Sequence, residues 1–270
     1  MIAKLHIQTI VKNGITSLKQ SYCTPPFKLA NITEDKNSLQ LHLAIMSSSP
    51  GVLDEDAYEI KLELGEGSSL QLHTQSYQRL FTMKKGAKQL MEVILKKGSG
   101  LVYLPHPSVP HENSIFTATN KIFLSDDCRL IWGEILTCGR KLNGEIFRFS
   151  KYQCMTEIFT NGKLMIKENL LMQPVVIDPQ AIGQLEGFTH QAGLIFLDEK
   201  TDCVAAGTNI HEYLSQEDEI AFGITPATAN GLFVRLLGYR AEQLHTCLKA
   251  IVIIIEQETI TRTPNSAYAG

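Results

Sequence analysis

Strict alternation of apolar and polar positions is the commonest pattern along this chain, and it predicts strands. From Leu39 to Met46, Leu39, Leu41, Leu43 and Ile45 alternate with Gln40, His42 and Ala44, as in a half-buried strand. Residues 4–11 and 15–22 read as two strands joined through Asn13-Gly14, a two-residue turn signal. Ile60, Leu62 and Leu64, then Gly65-Glu-Gly67, then Leu70, Leu72 and Thr74 predict a hairpin. A second hairpin is expected over Leu130–Phe149, turning through Gly139 and Asn143-Gly144. Further strands fall near 76–83, 88–96, 100–104, 114–124, 128–137, 145–150, 152–160, 163–172, 192–198, 203–206 and 231–238.

The period changes near Arg240. Leu244, Leu248, Ile251 and Ile255 follow a helical spacing, which predicts a helix to about Thr259 packed on the sheet, with a frayed tail over 261–270. Pro174–Gly187, with two prolines and two glycines, reads as a bend, and Glu212–Glu219 as a solvated acidic stretch. Short strands separated by turns argue for a mainly β core: sandwich, barrel or β-helical stack. No exact internal repeat distinguishes them.

Composition narrows the partners rather than the fold. A net charge of −3 with 20% charged residues gives no electrostatic reason to expect nucleic acid or an anionic membrane. Ile251–Ile255 is far too short to span a bilayer, and the first residues lack a signal-peptide apolar run, so a cytoplasmic protein is expected. The six cysteines form no CxxC pair and are expected to be reduced.

Candidate chemistry lies in acids set among apolar residues. Along the strand, Trp132, Glu134, Leu136 and Cys138 share one face and Ile131, Gly133, Ile135 and Thr137 the other, so neither looks made for water. Glu134 and Glu145 are then buried carboxylates, costly unless a cation, a metal or hydrogen-bond donors meet them. Two readings compete: a functional site, or structural ion pairs with Arg140 or Arg148. His106 and His111 on the proline-stiffened loop Leu104–His111 are possible metal ligands or plain loop residues. Asp54, Glu55 and Asp56 after Pro50-Gly51 could meet a cation or form a solvated turn. Nucleotide-binding, serine-hydrolase and zinc-protease motifs are all absent from the sequence.

Taken in order, several short motifs resemble the urease accessory protein family UreD, called UreH in some bacteria. They are Pro25-Pro-Phe-Lys-Leu29, Ser49-Pro-Gly-Val-Leu-Asp-Glu-Asp56, Thr74-Gln-Ser76, Tyr103-Leu-Pro-His-Pro107, Glu134 with Cys138-Gly-Arg140, and Gly144-Glu-Ile-Phe147. The match is strongest over 22–172. Glu55 stands where the family pattern has glycine, and His111 where it has an aromatic residue.

The resemblance implies one UreD-like domain over 1–270 with an irregular β-helical, stacked-sheet fold and about two helices. It also implies a non-enzymatic scaffold that binds UreF and, through it, the GTPase UreG. The assembly, a dimer of heterotrimers, docks on apo-urease and helps deliver nickel, with no tightly bound cofactor. On this reading Asp56, Glu134, Glu145, Thr74 and Ser76 line an internal polar path for nickel in transit. Arg140, Gly139, Gly144, Pro50 and Gly51 shape it. The alternative is a β-rich carbohydrate-active enzyme with a carboxylate pair, which a single tryptophan makes a poor fit.

Overall fold

The chain begins with a hairpin, β1 (Ile2–Lys12) and β2 (Ile15–Cys23), turned through Asn13 and Gly14, both at positive φ as a tight primed turn requires. These are seen in a computed structural model, which describes residues 1–261 apart from Lys36 and Ala229; the tail expected to fray lies almost wholly outside them.

Beyond that hairpin the chain winds in coils. β3 (Phe27–Asn31) and β4 (Gln40–Ser47) lie in one sheet and β5 (Ala57–Leu64) in another. β6 (Ser69–Thr74) returns to the first, β8 (Ala87–Leu95) to the second, and β9 (Gly100–Tyr103) to the first. β11 (Ile115–Leu124), β12 (Arg129–Thr137) and β13 (Lys151–Thr160) continue the alternation. Each sheet therefore gains a parallel ladder: β5, β8, β11 and β13 in one, β4, β6, β9 and β12 in the other. This is the expected β-helical, stacked-sheet architecture.

Antiparallel strands finish both sheets. β14 (Lys163–Met172) pairs with β13 through the Asn161-Gly162 turn, giving the order β14-β13-β11-β8-β5-β1-β2. In the other sheet, β15 (His190–Leu197), β17 (Gly231–Gly238) and β16 (Ala221–Ala227) extend beyond β12. Two short strands, β7 (Gln78–Leu80) and β10 (Ser108–Pro110), pair with each other beside it.

Corners stack as well as strands. Gly67, Gly98 and Asp127 occupy successive corners roughly 30 residues apart, each at positive φ. Gly67 N–H donates to Lys97 O at 3.0 Å and Gly98 N–H to Asp126 O at 3.1 Å. The first two corners share Gly-Ser (67–68 and 98–99) but the third carries Asp127-Cys128, so no exact repeat stands out in the residues.

Two predicted hairpins do not form, for one physical reason. β5 lies between β1 and β8, and β6 between β4 and β9, so neither strand has an edge left for the other. Gly65–Ser68 is a corner between sheets. β12 is likewise held between β9 and β15, so 145–150 has nowhere to pair. That segment follows a 3-10 turn, Lys141–Asn143, and Phe147 N–H returns to Cys138 O at 2.7 Å with Phe147 at φ +52°. Residues 203–206, expected as strand, begin helix α1 (Cys203–Leu214), capped by the Asp202 carboxylate on Val204 and Ala205 N–H groups.

Two cores result. One fills the space between the sheets with Leu62, Leu64, Leu70, Leu72, Trp132 and Phe149. The other lies between the larger sheet and the helices, where Ile131 and Ile135 meet Leu244, Leu248, Ile251 and Ile255 of α2 (Ala241–Thr261). Strand β12 is thus covered on both faces, as its pattern predicts.

Candidate functional site

Alternation along β12 sends Trp132, Glu134 and Leu136 into the space between the sheets. Gly133 faces the other way, where a Cβ would stand 2.5 Å from Leu104 Cδ1 and 3.5 Å from Leu248 Cδ1. The absence of a side chain there lets α2 and the 104–107 loop close on the strand.

Glu134 meets neutral donors, and all of them reach one oxygen. Its Oε1 accepts from Trp132 Nε1 at 3.0 Å, Thr156 Oγ1 at 3.0 Å, Asn120 Nδ2 at 3.2 Å and Cys154 Sγ at 3.3 Å. Asn120 comes from β11 and the other two opposing groups from β13, so the smaller sheet supplies most of the cradle. Asn120 also donates to Thr156 Oγ1 at 3.0 Å, which locks the network. Burial, then the nearby carboxylate, pushes the Cys154 thiol well above its ordinary range, so it remains a donor. Tyr103 and Tyr152 are raised mainly by burial.

Two cavities meet at this residue. The first, about 220 Å³, runs between Glu134 and the β14, β15 and β17 edge, reaching Asn169, Gln191 and Arg235. The Arg235 guanidinium donates to Glu168 at 2.6 Å across the two sheets at its mouth. The second, about 130 Å³, runs the opposite way past Tyr103, Ser108 and Gln78 to Thr74, Ser76, Tyr77, His106, Pro50 and Gly51. Trp132, Glu134, Ile135, Tyr152 and Cys154 line both. Each has room for several waters, and Glu134 stands on the wall they share.

Among the expected site residues, Glu134, Thr74, Ser76, His106, Pro50 and Gly51 come together around the second cavity. Gly51 is confined by backbone: a Cβ would lie 2.4 Å from Arg79 O. Thr74 Oγ1 accepts the His106 N–H at 2.8 Å. The other acids lie elsewhere. Asp56 is buried against the N-terminal ammonium at 3.1 Å and accepts Leu53 N–H at 2.9 Å. Glu145 is paired with Arg140, whose Nε donates at 2.8 Å and whose Nη2 makes a second, short contact. This ion pair, the structural reading offered for Glu145, holds its carboxyl below the ordinary range. Arg148 reaches Glu112, and neither arginine touches Glu134.

Gly139 supports that ion-pair loop, with φ +115° and backbone carbonyls of Glu145 and Pro110 within 2.8 Å of any added Cβ; Gly144 ends the 3-10 turn at φ +78°. Glu55 adopts φ +64°, so the loop keeps the left-handed conformation a glycine would favour. Asp54 caps the neighbouring turn by accepting from Lys84, Lys85 and Gly86 N–H groups at 2.8–3.1 Å. His111 packs edge-on against Phe81, ring centroids 4.8 Å apart, and does not join His106.

Asn120, Cys154 and Thr156 were not anticipated. Their signal is present, since Phe116, Ala118, Asn120 and Ile122 share one strand face and Tyr152, Cys154, Thr156 and Ile158 another. A small polar residue recurs at the same level in two apolar stripes. Recognising it requires knowing that β11 and β13 are neighbours.

The fold and cavities define a mainly β protein with Glu134 between two cavities, and among the described residues no three His, Cys, Asp or Glu side chains are gathered into a ready metal centre. Comparison with known sequences supplies the family. The profile described as UreD urease accessory protein matches residues 1–267, and the chain belongs to that family. It is 48% identical over 252 residues to the urease accessory protein UreD of Flavobacterium johnsoniae, covering 93% of this chain and 91% of that protein. It is 35% identical to the UreD of Acetivibrio thermocellus, covering 92% and 95%, and 33% identical to that of Haemophilus influenzae, covering 93% and 97%.

Proposed function

We propose that this chain is a non-enzymatic scaffold for urease maturation, and that nickel passes between its sheets by way of Glu134. The observation that carries the reading is the position of that carboxylate. It is half-buried, has no cationic partner among its contacts, and lines two cavities that lead in opposite directions. A carboxylate oxygen with hydroxyl, amide and thiol neighbours suits a hydrated divalent cation that must exchange ligands without being held.

Within that reading the chain binds UreF and, through it, the GTPase UreG, forming a dimer of heterotrimers on cytoplasmic apo-urease. The loop after β14 supports a partner surface, because Val175, Val176, Ile177 and Ile182 are 57–95% exposed. No helix among the described residues is long and apolar enough to cross a membrane. The carbohydrate-enzyme alternative draws no support from the geometry, since Glu145 is tied to Arg140 away from the cavities.

The test is urease activation in cells carrying Glu134→Gln, with UreF capture measured in parallel. Activation is expected to fall at least tenfold while UreF binding holds. Full activation would reject passage by Glu134, and loss of UreF binding would assign the residue to assembly.

A further inference from the structure

A second polar cluster lies on the opposite face of the larger sheet, beneath α2. His106, on the loop after β9, and His245, in the second turn of α2, face each other with ring centroids 4.7 Å apart. His73, at the end of β6, adds a third imidazole near enough to repel both electrostatically. His245 is 8% exposed, and its Nε2 is fully buried with no hydrogen-bond partner. A buried ring nitrogen without a hydrogen-bond partner carries a desolvation penalty, so its retention in a packed helix face calls for a partner.

We propose that His106 and His245 form a two-imidazole site for a borderline divalent metal ion at the rim of the second cavity. Two cis imidazoles on one ion, with metal–nitrogen bonds of about 2 Å, place their ring centroids roughly 5 Å apart, close to the spacing here. His106 Nδ1 lies 3.5 Å from Thr74 Oγ1, so its Nε2 is the nitrogen left for a ligand. His106 lines the second cavity and His245 does not, which puts the pair at the boundary between cavity and helix. Burial lowers both imidazoles below their ordinary range, His245 to about 4, leaving both neutral and able to ligate at neutral pH.

Lys249, one turn further along α2, acts against both rings. With two protein ligands, water completing the shell and a cation nearby, the site is a weak one. The inference goes beyond transit at Glu134, because it concerns ion binding by the isolated chain at different residues.

The experiment titrates the full chain at pH 7.5 with Co²⁺ and Zn²⁺, followed by calorimetry and cobalt absorption. One equivalent is expected, weakened at least tenfold by His106→Ala or by His245→Ala, unchanged by His111→Ala, and tightened severalfold by Lys249→Gln. On the unaltered chain, Zn²⁺ should shift the ring nitrogen resonances of His106 and His245 together. This second measurement decides the matter should a variant fail to fold. Ring resonances that do not move, or binding that survives both alanine substitutions, would overturn the proposal whatever becomes of the activation test on Glu134.

Discussion

Replacing Glu134 separates the charge of this residue from its role as an acceptor. Leucine has a similar size but accepts nothing, so the Trp132 indole N–H and the Thr156 hydroxyl lose the partner 3.0 Å away from each. Each stranded donor costs about 1–3 kcal/mol, partly offset by relieving a half-buried charge, so Glu134→Leu should destabilise by about 2–4 kcal/mol. Glutamine keeps one oxygen for the same donors and should remain within about 1 kcal/mol of the wild type. Trp132 is the chain's one tryptophan, so its fluorescence reports directly on the bond being removed. Urea denaturation followed at that signal gives stability, and the native emission maximum gives the local change. A Glu134→Leu protein with wild-type midpoint and emission would refute the cradle, and with it the physical basis for placing the carboxylate at the junction.

Two further expectations concern the surroundings. Gly139→Ala should cost at least about 2 kcal/mol, because it forces a side chain onto two backbone carbonyls at φ +115°; a variant melting within a degree of wild type would contradict it. Stability should also fall as pH drops below 6.5. His190 and His245 have folded pKa values lowered to about 4, chiefly by burial and then by Lys141 and Lys249. Between pH 6.5 and 4 the unfolded chain binds more protons, so acidification favours unfolding, by on the order of 2–3 kcal/mol per residue. Urea midpoints of His190→Asn and His245→Asn across that range should show a flatter pH slope, and an unchanged slope would refute the assignment.

Alternation of Ile60, Leu62, Leu64, Leu70 and Leu72 with polar residues correctly marks which side chains enter the core. It does not say which sheet they enter from, because β5 and β6 point into the same space from opposite walls. The same ambiguity makes Leu130–Phe149 read as a hairpin, whereas β12 has both edges occupied. The helical spacing of Leu244, Leu248, Ile251 and Ile255 was legible because one face of a helix declares itself without reference to neighbours. Glu134 was legible as a misplaced charge on an apolar strand. Its donors on β11 and β13 were not, since they sit 14–22 residues away on strands whose adjacency is a property of the coil. Asp56, from an acidic turn, and Glu145 each have a cation beside them, which Glu134 lacks.

The alternation of strands between two walls also bears on how the chain reaches this form. Each parallel pairing in the coil joins segments roughly 30 residues apart, so a rung can be laid down only once the previous one exists. During synthesis the most recent rung exposes a row of unpaired backbone groups until the next coil arrives, a template for pairing with another chain. The smaller sheet closes that window at both ends with a hairpin, β1–β2 first and β13–β14 last. Growth that proceeds coil by coil from the amino-terminal hairpin would leave the β13–β14 hairpin as the step that ends exposure of that sheet's growing edge.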